Sequence, residues 1–318
     1  MEKMCSVVVS VLLLHAATII ADDTITVVCT TTALEALAAE VGGDQITLIS
    51  LVQPGVCPSH FDVKPSHIAE VQSASVILYH GVEPWLEDLV TASGNESVER
   101  ILLEGRWNTP PFAVNKIEEI RDVLSRIDSE NASFYSQNAE QAIGEINQMA
   151  EAIQAEAHSL QTENVPVLCM DWQKSLAEWM GFPVVAAYAP PETLSMKDIN
   201  DLIAAGKNEN AILVIDNLQS GTALGAEIAA EIGAYQVVLT NFPRAVPETD
   251  TIGDMLEYNA RQLLNAVEKY HKEEKILELE SELEKEKSIR QIFEAIAILL
   301  LILCIVEAVV FYMRRKAA

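Results

Sequence analysis

"TITVVCTTTALEALAAEVGGDQITLISLV", residues 24–52, holds two short runs of β-branched and aliphatic residues. Between them Leu34 to Val41 places apolar residues at helical spacing, and Gly42-Gly43 supplies the turn back. A strand, a helix and a second strand this close together predict a parallel pair with the helix laid across one face. The same pattern continues in "SHIAEVQSA" (66–74, helix) and "SVILYHG" (75–81, a buried strand ending at Gly81). It resumes after residue 164, where "VPVLCMDW", "FPVVAAYAPP", "NAILVID" and "AYQVVLTN" read as strands. "QKSLAEWMG", "SMKDINDLIAAGK" and "GTALGAEIAAEIG" fall between them as helices. The expected fold class is therefore α/β, with two lobes built on mostly parallel sheets.

Between the two alternating stretches the grammar changes. Residues 115–160 contain no proline and one glycine. Ile117, Ile120, Val123, Leu124 and Ile127, then Ala139, Ile143, Ile146, Met149 and Ile153, recur every three or four places. This predicts one or two long amphipathic helices with "DSEN" (128–131) as the break. A helix of 25 residues spans about 40 Å, long enough to run along both lobes. The expected boundaries are a signal peptide at 1–21, a first lobe at 22–112, a linking helix at 113–163, a second lobe at 164–262, a charged helical stalk at 263–290, a transmembrane helix at 291–313 and a tail at 314–318.

The two ends carry the membrane signals. Lys3, an apolar run to Ile20 and Ala21 before two aspartates read as a secretory signal. Near the other end, Ile292 to Met313 is apolar enough to cross about 30 Å of hydrocarbon. Arg314, Arg315 and Lys316 follow at once and assign that end to the cytoplasm. The large domain is then extracytoplasmic, tethered to the cell membrane by a single pass. Glu307 lies inside the span, where it either pairs with a partner helix or snorkels to the interface.

With 47 acidic against 21 basic side chains, the net charge is −26. Such a field repels nucleic acid and concentrates cations. Five cysteines are present, and Cys5 and Cys304 fall in the two membrane segments. Cys29, Cys57 and Cys169 are too few for a disulfide framework, although a Cys57–Cys169 bridge would suit an oxidising compartment. Asn95 and Asn131 head glycosylation-type triplets. No nucleophile elbow, phosphate-binding glycine loop or carboxylate pair with a histidine base stands out.

"GVCPSHFDVKPSHI" (55–68) concentrates thiol, imidazole and carboxylate around two prolines. Together with "YHGVEPWLEDL" (79–89), "EGRWNTPPF" (104–112), "VPVLCMDWQKSLAEWMG" (165–181) and "ETDTIGDMLEYNARQLL" (248–264), it is similar to a known pattern. Over about residues 25–270 the chain resembles the zinc/manganese solute-binding proteins of ABC transporters, the TroA-like group. The resemblance implies two α/β lobes joined by a rigid helix, with a metal ion held in the cleft between them. It also implies an ABC permease and its ATPase subunits as partners, no resident cofactor, and no enzymatic activity.

Carried over residue by residue, the family's first histidine falls on Ser59, with His60 one place later and Cys57 two before. The second ligand position is Gly105, a departure from the family. The third is Met170, beside Cys169 and Asp171. The fourth is Asp250, with Thr251, Met255 and Asn259 in step. The resemblance thus proposes Cys57, His60, Met170 and Asp250 as metal ligands, with Cys169, Asp171 and His80 as weaker candidates. Thiolate, imidazole and carboxylate suit Zn²⁺ first, with Mn²⁺ and Cu⁺ as the other ions to consider.

Each residue also has an ordinary structural role open to it. Asp250 would serve as a helix N-cap, Met170 as core filling, and His67 as a residue of a helix surface. His80 and Asp216 close predicted strands, where ligands collect in such sheets. Two further readings stay open: a tethered receptor or scaffold that has lost the metal, and a metal-dependent enzyme. For topology, protease added to intact cells should cut the large domain and spare a tag placed after Ala318. Loss of the tag would reverse the assigned orientation.

Overall fold

The computed structural model describes residues 24–317, so the expected signal peptide lies outside the described residues. The first lobe is built from β1 (Ile25–Cys29), α1 (Thr32–Gly42), β2 (Ile46–Ser50), α2 (Pro65–Gln72), β3 (Val76–Tyr79), α3 (Leu86–Ser93) and β4 (Glu99–Leu102). Helices α4 (Pro110–Ile127) and α5 (Ala132–Ser159) follow. The second lobe contains β5 (Val167–Met170), α6 (Asp171–Trp179), β6 (Val184–Tyr188), α7 (Met196–Asn208), β7 (Leu213–Asn217), α8 (Ala223–Ile232) and β8 (Tyr235–Leu239). Helix α9 runs without interruption from Ile252 to Ala317.

The sheets have the same design, β2-β1-β3-β4 and β6-β5-β7-β8. All neighbours are parallel, with Val27 beside Leu48 and Val76 in one sheet and Leu168 beside Val214 in the other. In each lobe the strand order turns back beside the first strand, so the carboxyl ends of the strands flank a crevice where loops meet. Both faces of each sheet are covered. Val27 and Cys29 face one core and Val28 the other; Cys169 and Met170 divide in the same way. This two-sided burial explains why the strands read as unbroken apolar runs rather than alternating ones.

The long helical region breaks where the sequence indicates. Thr109 caps α4, accepting from the Phe112 N–H, and Pro110 opens its first turn. Asp128 leaves the helical conformation and its carboxylate accepts from Tyr135 Oη at 2.6 Å and Asn131 Nδ2 at 2.8 Å. Helix α4 belongs to the first lobe: Ile117, Ile120 and Leu124 are buried with Leu34 and Leu37 of α1. Only α5 crosses. Ala139, Ala142 and Ile146 enter the first core, Ile153 and Ala157 the second, and Met149 packs against both.

Helix α9 repeats this division. Ile252, Met255 and Leu256 lie in the first core, whereas Ala260, Leu263, Leu264 and Val267 lie in the second. The start of the segment expected as stalk is thus lobe core. Beyond it, Lys269–Glu273, Lys272–Glu268, Lys275–Glu278, Lys287–Glu284 and Arg290–Glu294 pair at helical spacing along a solvated rod. At 1.5 Å per residue, the interval from Val267 to Ile292 extends about 37 Å. From Ile292 to Met313 the large apolar side chains are exposed and uncovered by the rest of the chain.

Glu40 joins α1 to the start of α9 by accepting from the Ile252 N–H at 3.3 Å, and its second oxygen is buried without a partner. Burial, opposed by that backbone bond and reinforced by the charges of Glu145 and Asp254, pushes the Glu40 carboxyl up to about 7. A carboxyl raised in the folded state contributes stability that is complete below its ordinary value of 4.5 and is lost as pH rises through about 7. Glu40→Gln should therefore flatten the fall in melting temperature between pH 5 and pH 8. A slope equal to that of the parent chain would reject this assignment.

Candidate metal centre

The loop after β2 is held in place by its own backbone and by the segment after β3. Pro58–His60 form one 3₁₀ turn, with the His60 N–H donating to the Cys57 carbonyl at 3.1 Å. Trp85 Nε1 donates to the Pro58 carbonyl at 2.7 Å, and Ser59 Oγ donates to the Val82 carbonyl at 3.1 Å. Phe61 packs its ring 4.9 Å from Trp85 and from His67. Cys57 is half-buried on the interlobe side, while His60 is exposed. His67 is not on the helix surface but buried, because its Nδ1 accepts from the Lys64 N–H at 2.9 Å and closes the first turn of α2.

Behind this loop stands a buried polar array. Glu83 accepts from Thr30 Oγ1 at 2.6 Å, from the His80 N–H at 3.0 Å and from the Val82 N–H at 2.8 Å. The glutamate of "HGVEPW" is thereby consumed in tying β1 to the turn after β3. His80 Nε2 lies 2.9 Å from Thr31 Oγ1, and its ring stacks on Trp107 at 3.9 Å. Burial and the nearby Lys116 charge lower the His80 pKa to about 3, so the ring is neutral throughout the physiological range.

Trp107 carries the array to the other lobe. Its Nε1 donates to the Asn241 carbonyl at 2.6 Å and its ring stacks on Phe242 at 5.7 Å. Gly105 has φ of +97°, a turn conformation that side chains other than glycine rarely adopt. Arg106 then spans the gap, donating to the Asp171 carbonyl and lying 5.7 Å over the Trp172 ring. Asn108 Nδ2 donates to the Trp172 carbonyl. Gln219 completes the closure, its Nε2 donating to the Pro54 carbonyl at 3.0 Å and to Thr240 Oγ1 at 2.9 Å. Its Oε1 accepts from the Asn241 N–H at 3.1 Å.

Between these groups lies a cavity of about 40 Å³. Cys57, Ser59 and Trp107 contribute from the first lobe, and Trp172, Asn217 and Asn241 from the second. Among the described residues no carboxylate, imidazole, lysine or arginine lines it, and Cys57 is its one ionisable group.

The residues proposed as ligands are dispersed. Met170 is fully buried among Leu168, Tyr188, Leu202, Val214 and Ile228, on the sheet face away from Cys169. Cys169 is buried with Leu176, Leu213 and Leu263, and burial pushes its thiol up to about 12, aided by the charge of Asp171. Cys57 and Cys169 are both free, so the bridge considered from sequence is absent. Asp171 is exposed and uses its carbonyl towards Arg106. Asp250 is exposed; the capping at the start of α9 is done by Thr251 and Asp254, each accepting from the other's N–H. Asp216 is fully buried, accepting from Tyr188 Oη at 2.6 Å and Gln236 Nε2 at 2.6 Å. Among the described residues, no three His, Cys, Asp or Glu side chains come together in a group fit to hold a metal ion.

The sequence reading did not single out Trp107, Trp172, Gln173, Asn217, Gln219 or Asn241 as site residues. A usable signal was present: "DNLQSG" and "TNF" put amides at or just beyond the ends of strands β7 and β8, at the edge of the crevice.

Residues 27–266 match the family described as ZnuA, zinc-uptake complex component A, periplasmic. A putative metal-binding protein of Treponema pallidum is 38% identical over 81 residues, covering 25% of this chain and 26% of the relative. The iron-binding protein YfeA of Yersinia pestis is 29% identical over 133 residues, covering 36% of this chain and 43% of the relative. The manganese-binding lipoprotein MntA of Bacillus subtilis is 22% identical over 206 residues, with 58% and 67% covered. The chain thus matches well under two thirds of the first two relatives. Among solved structures, a Mn-bound periplasmic metal-binding protein from Candidatus Liberibacter asiaticus superposes with a TM-score of 0.67 at 18% identity, over 76% of this chain and 99% of that one. A ZnuA crystal structure gives 0.65 at 20% identity, over 77% and 100%. At these identities the structural likeness concerns the fold.

Gln219→Ala removes the amide that ties Pro54 to Thr240 and Asn241. From about 0.5–1.5 kcal/mol for each of the three hydrogen bonds, the variant should lose about 1.5–4.5 kcal/mol in urea unfolding. A change below 0.5 kcal/mol, as for an ordinary surface substitution, would mean that this closure does not stabilise the folded state.

Proposed function

As the chain belongs to the zinc-uptake complex component A family of extracytoplasmic, metal-binding solute-binding proteins of ABC transporters, we propose that it is a membrane-tethered binding component that loads between its lobes and presents its cargo to an ABC permease. One observation carries this reading: α9 belongs to both lobe cores and continues unbroken into an uncovered apolar segment long enough to cross a membrane. The stalk holds the cleft about 40 Å from the bilayer, and the tether raises the effective concentration of the cleft at the permease without adding contacts. Residues up to the span are extracytoplasmic in this reading, and the basic end is cytoplasmic. The protein binds and delivers; it is not an enzyme.

A transition-metal ion is the cargo the family suggests, zinc ahead of Mn²⁺ and Cu⁺, and the acidic surface raises the local concentration of cations. Cys57 and His60 share one 3₁₀ turn, and Asp250 stands just before α9. The described conformation does not bring these donors together, so capture through them requires the loop that carries Cys57 and His60 to rearrange. A second reading, a tethered binding protein that uses no metal, has a specific observation behind it. Neutral amides and indole rings line the cleft, and Met170 is core.

Metal content decides between the two. Full-length protein, purified in detergent without added metal, should carry about one equivalent of zinc if the ion is its cargo. Calorimetric titration with a chelator control should then show Cys57→Ala, His60→Ala and Asp250→Ala each weakening binding at least about tenfold, or 1.4 kcal/mol. Metal-free protein with no saturable response to Zn²⁺, Mn²⁺ or Cu⁺ would leave the second reading.

A further inference from the structure

The apolar run Ile292–Met313 of α9 holds two carboxylates, and their situations differ. Glu294 stands at its outer end and accepts from Arg290 Nε at 3.0 Å. Glu307 lies six residues before Met313, about 9 Å inside the other end. Among the described residues no ion pair or hydrogen bond engages it. Leu303, Val306, Val310 and Phe311 surround it on the helix, all exposed. An ionisable side chain in such surroundings needs a partner or a route to water. Direction closes the route to water. Side chains on a helix lean towards its N-terminus, so Glu307 leans away from the nearer interface and into the span. Ile292, at the outer end, is fifteen residues back, about 22 Å along the axis. Arg314, two turns on, forms no pair with Glu307 in the structure.

We propose that this face of α9 is a docking surface for a second transmembrane helix that carries one lysine or arginine at the level of Glu307. The inference rests on reading α9 as a membrane span. Charge complementarity selects the occupant. A basic side chain brings N–H donors and the opposite charge to the carboxylate, where lipid chains bring neither. A second copy of this chain would set two carboxylates against each other, and like charges in contact cannot both ionise. A helix of apolar residues alone would leave the carboxylate as it stands. The steric pattern favours close approach. Cys304 and Ala308, four residues apart, put small side chains beside Glu307, and Ala297 lies two turns before Cys304 on the same stripe. Because α9 is continuous with both lobe cores, such a contact would also fix how the cleft is turned towards its partner.

The probe is a synthetic polyleucine transmembrane peptide with one lysine at the level of Glu307, compared with an all-leucine peptide and one bearing glutamate there. Full-length protein, with a fluorophore attached after Ala318, is reconstituted in phosphatidylcholine vesicles. Energy transfer to labelled peptide is then measured against the peptide-to-lipid ratio. Transfer to the lysine peptide should saturate, whereas the all-leucine peptide should give only the transfer of random mixing. Glu307→Leu should weaken the association at least tenfold. Glu307→Lys should reverse the preference, so that the glutamate peptide is taken in place of the lysine peptide. If Glu307→Lys does not insert, Glu307→Leu and the peptide contrast in the parent chain decide. Equal transfer to the lysine and all-leucine peptides would overturn the inference, and so would a lysine preference that survives Glu307→Leu. Transfer between differently labelled copies of the chain, abolished by Glu307→Leu and undiminished by the lysine peptide, would overturn it in favour of a second copy. Alkaline carbonate treatment of cell membranes tests the span separately. Release of the protein would remove the membrane-tethered reading and the inference with it, whereas retention without any peptide preference would remove the inference alone.

Discussion

The structure depends on two helices being shared between two cores. Neither sheet is buried by its own lobe's helices alone: α5 and α9 each give some apolar side chains to one core and the rest to the other. Met149 of α5 packs against both. Moving one lobe against the other must therefore bend these helices or shear residues out of a packed core, and close-packed interiors resist both. Small displacements within the crevice remain open, where closure rests on hydrogen bonds from Trp107, Asn108 and Gln219 and on the Arg106 crossing. Because α9 continues outward, the orientation of both lobes is transmitted to the segment that would enter the membrane.

Charge is distributed unevenly over this frame. The chain carries −26 overall, yet the interlobe cavity is lined by amides, hydroxyls, a thiol and indole rings. The acidic side chains lie mainly on helix surfaces, where many pair with lysine or arginine at weak, solvated geometry. Such a surface attracts cations over a Debye length. What the cleft holds is decided by its own short-range chemistry, and there the surface field says little.

The histidine, glutamate and tryptophan that close the first lobe illustrate how residues with metal-binding chemistry become scaffold. Glu83 spends three hydrogen bonds on Thr30, His80 and Val82. His80, held neutral, serves as the stacking platform for Trp107, which crosses to Asn241. The array sets the height and angle of the cleft wall. Its members are as polar as a ligand set, and their partners show that the Glu83 carboxylate and the His80 Nε2 are occupied.

The alternation of apolar runs with helical segments, the proline-free stretch at 115–160 and the apolar run ending at Arg314 were enough to state two parallel α/β lobes, a helical connection and a C-terminal helix able to span a membrane. Those features depend on local periodicity and length, which residue order carries directly. Tertiary structure alone decided the rest. Strand alternation turned Met170 towards Tyr188 and Val214 and left Trp172 to meet Asn108 and Arg106 of the other lobe. The positive φ at Gly105 sent Arg106 across the gap, and the Thr251–Asp254 cap relieved Asp250 of that task. Gln219, Asn217 and Asn241 matter because three loops distant in sequence converge. A site is a property of that convergence, and side-chain direction at a strand end is set by packing that residue order does not display.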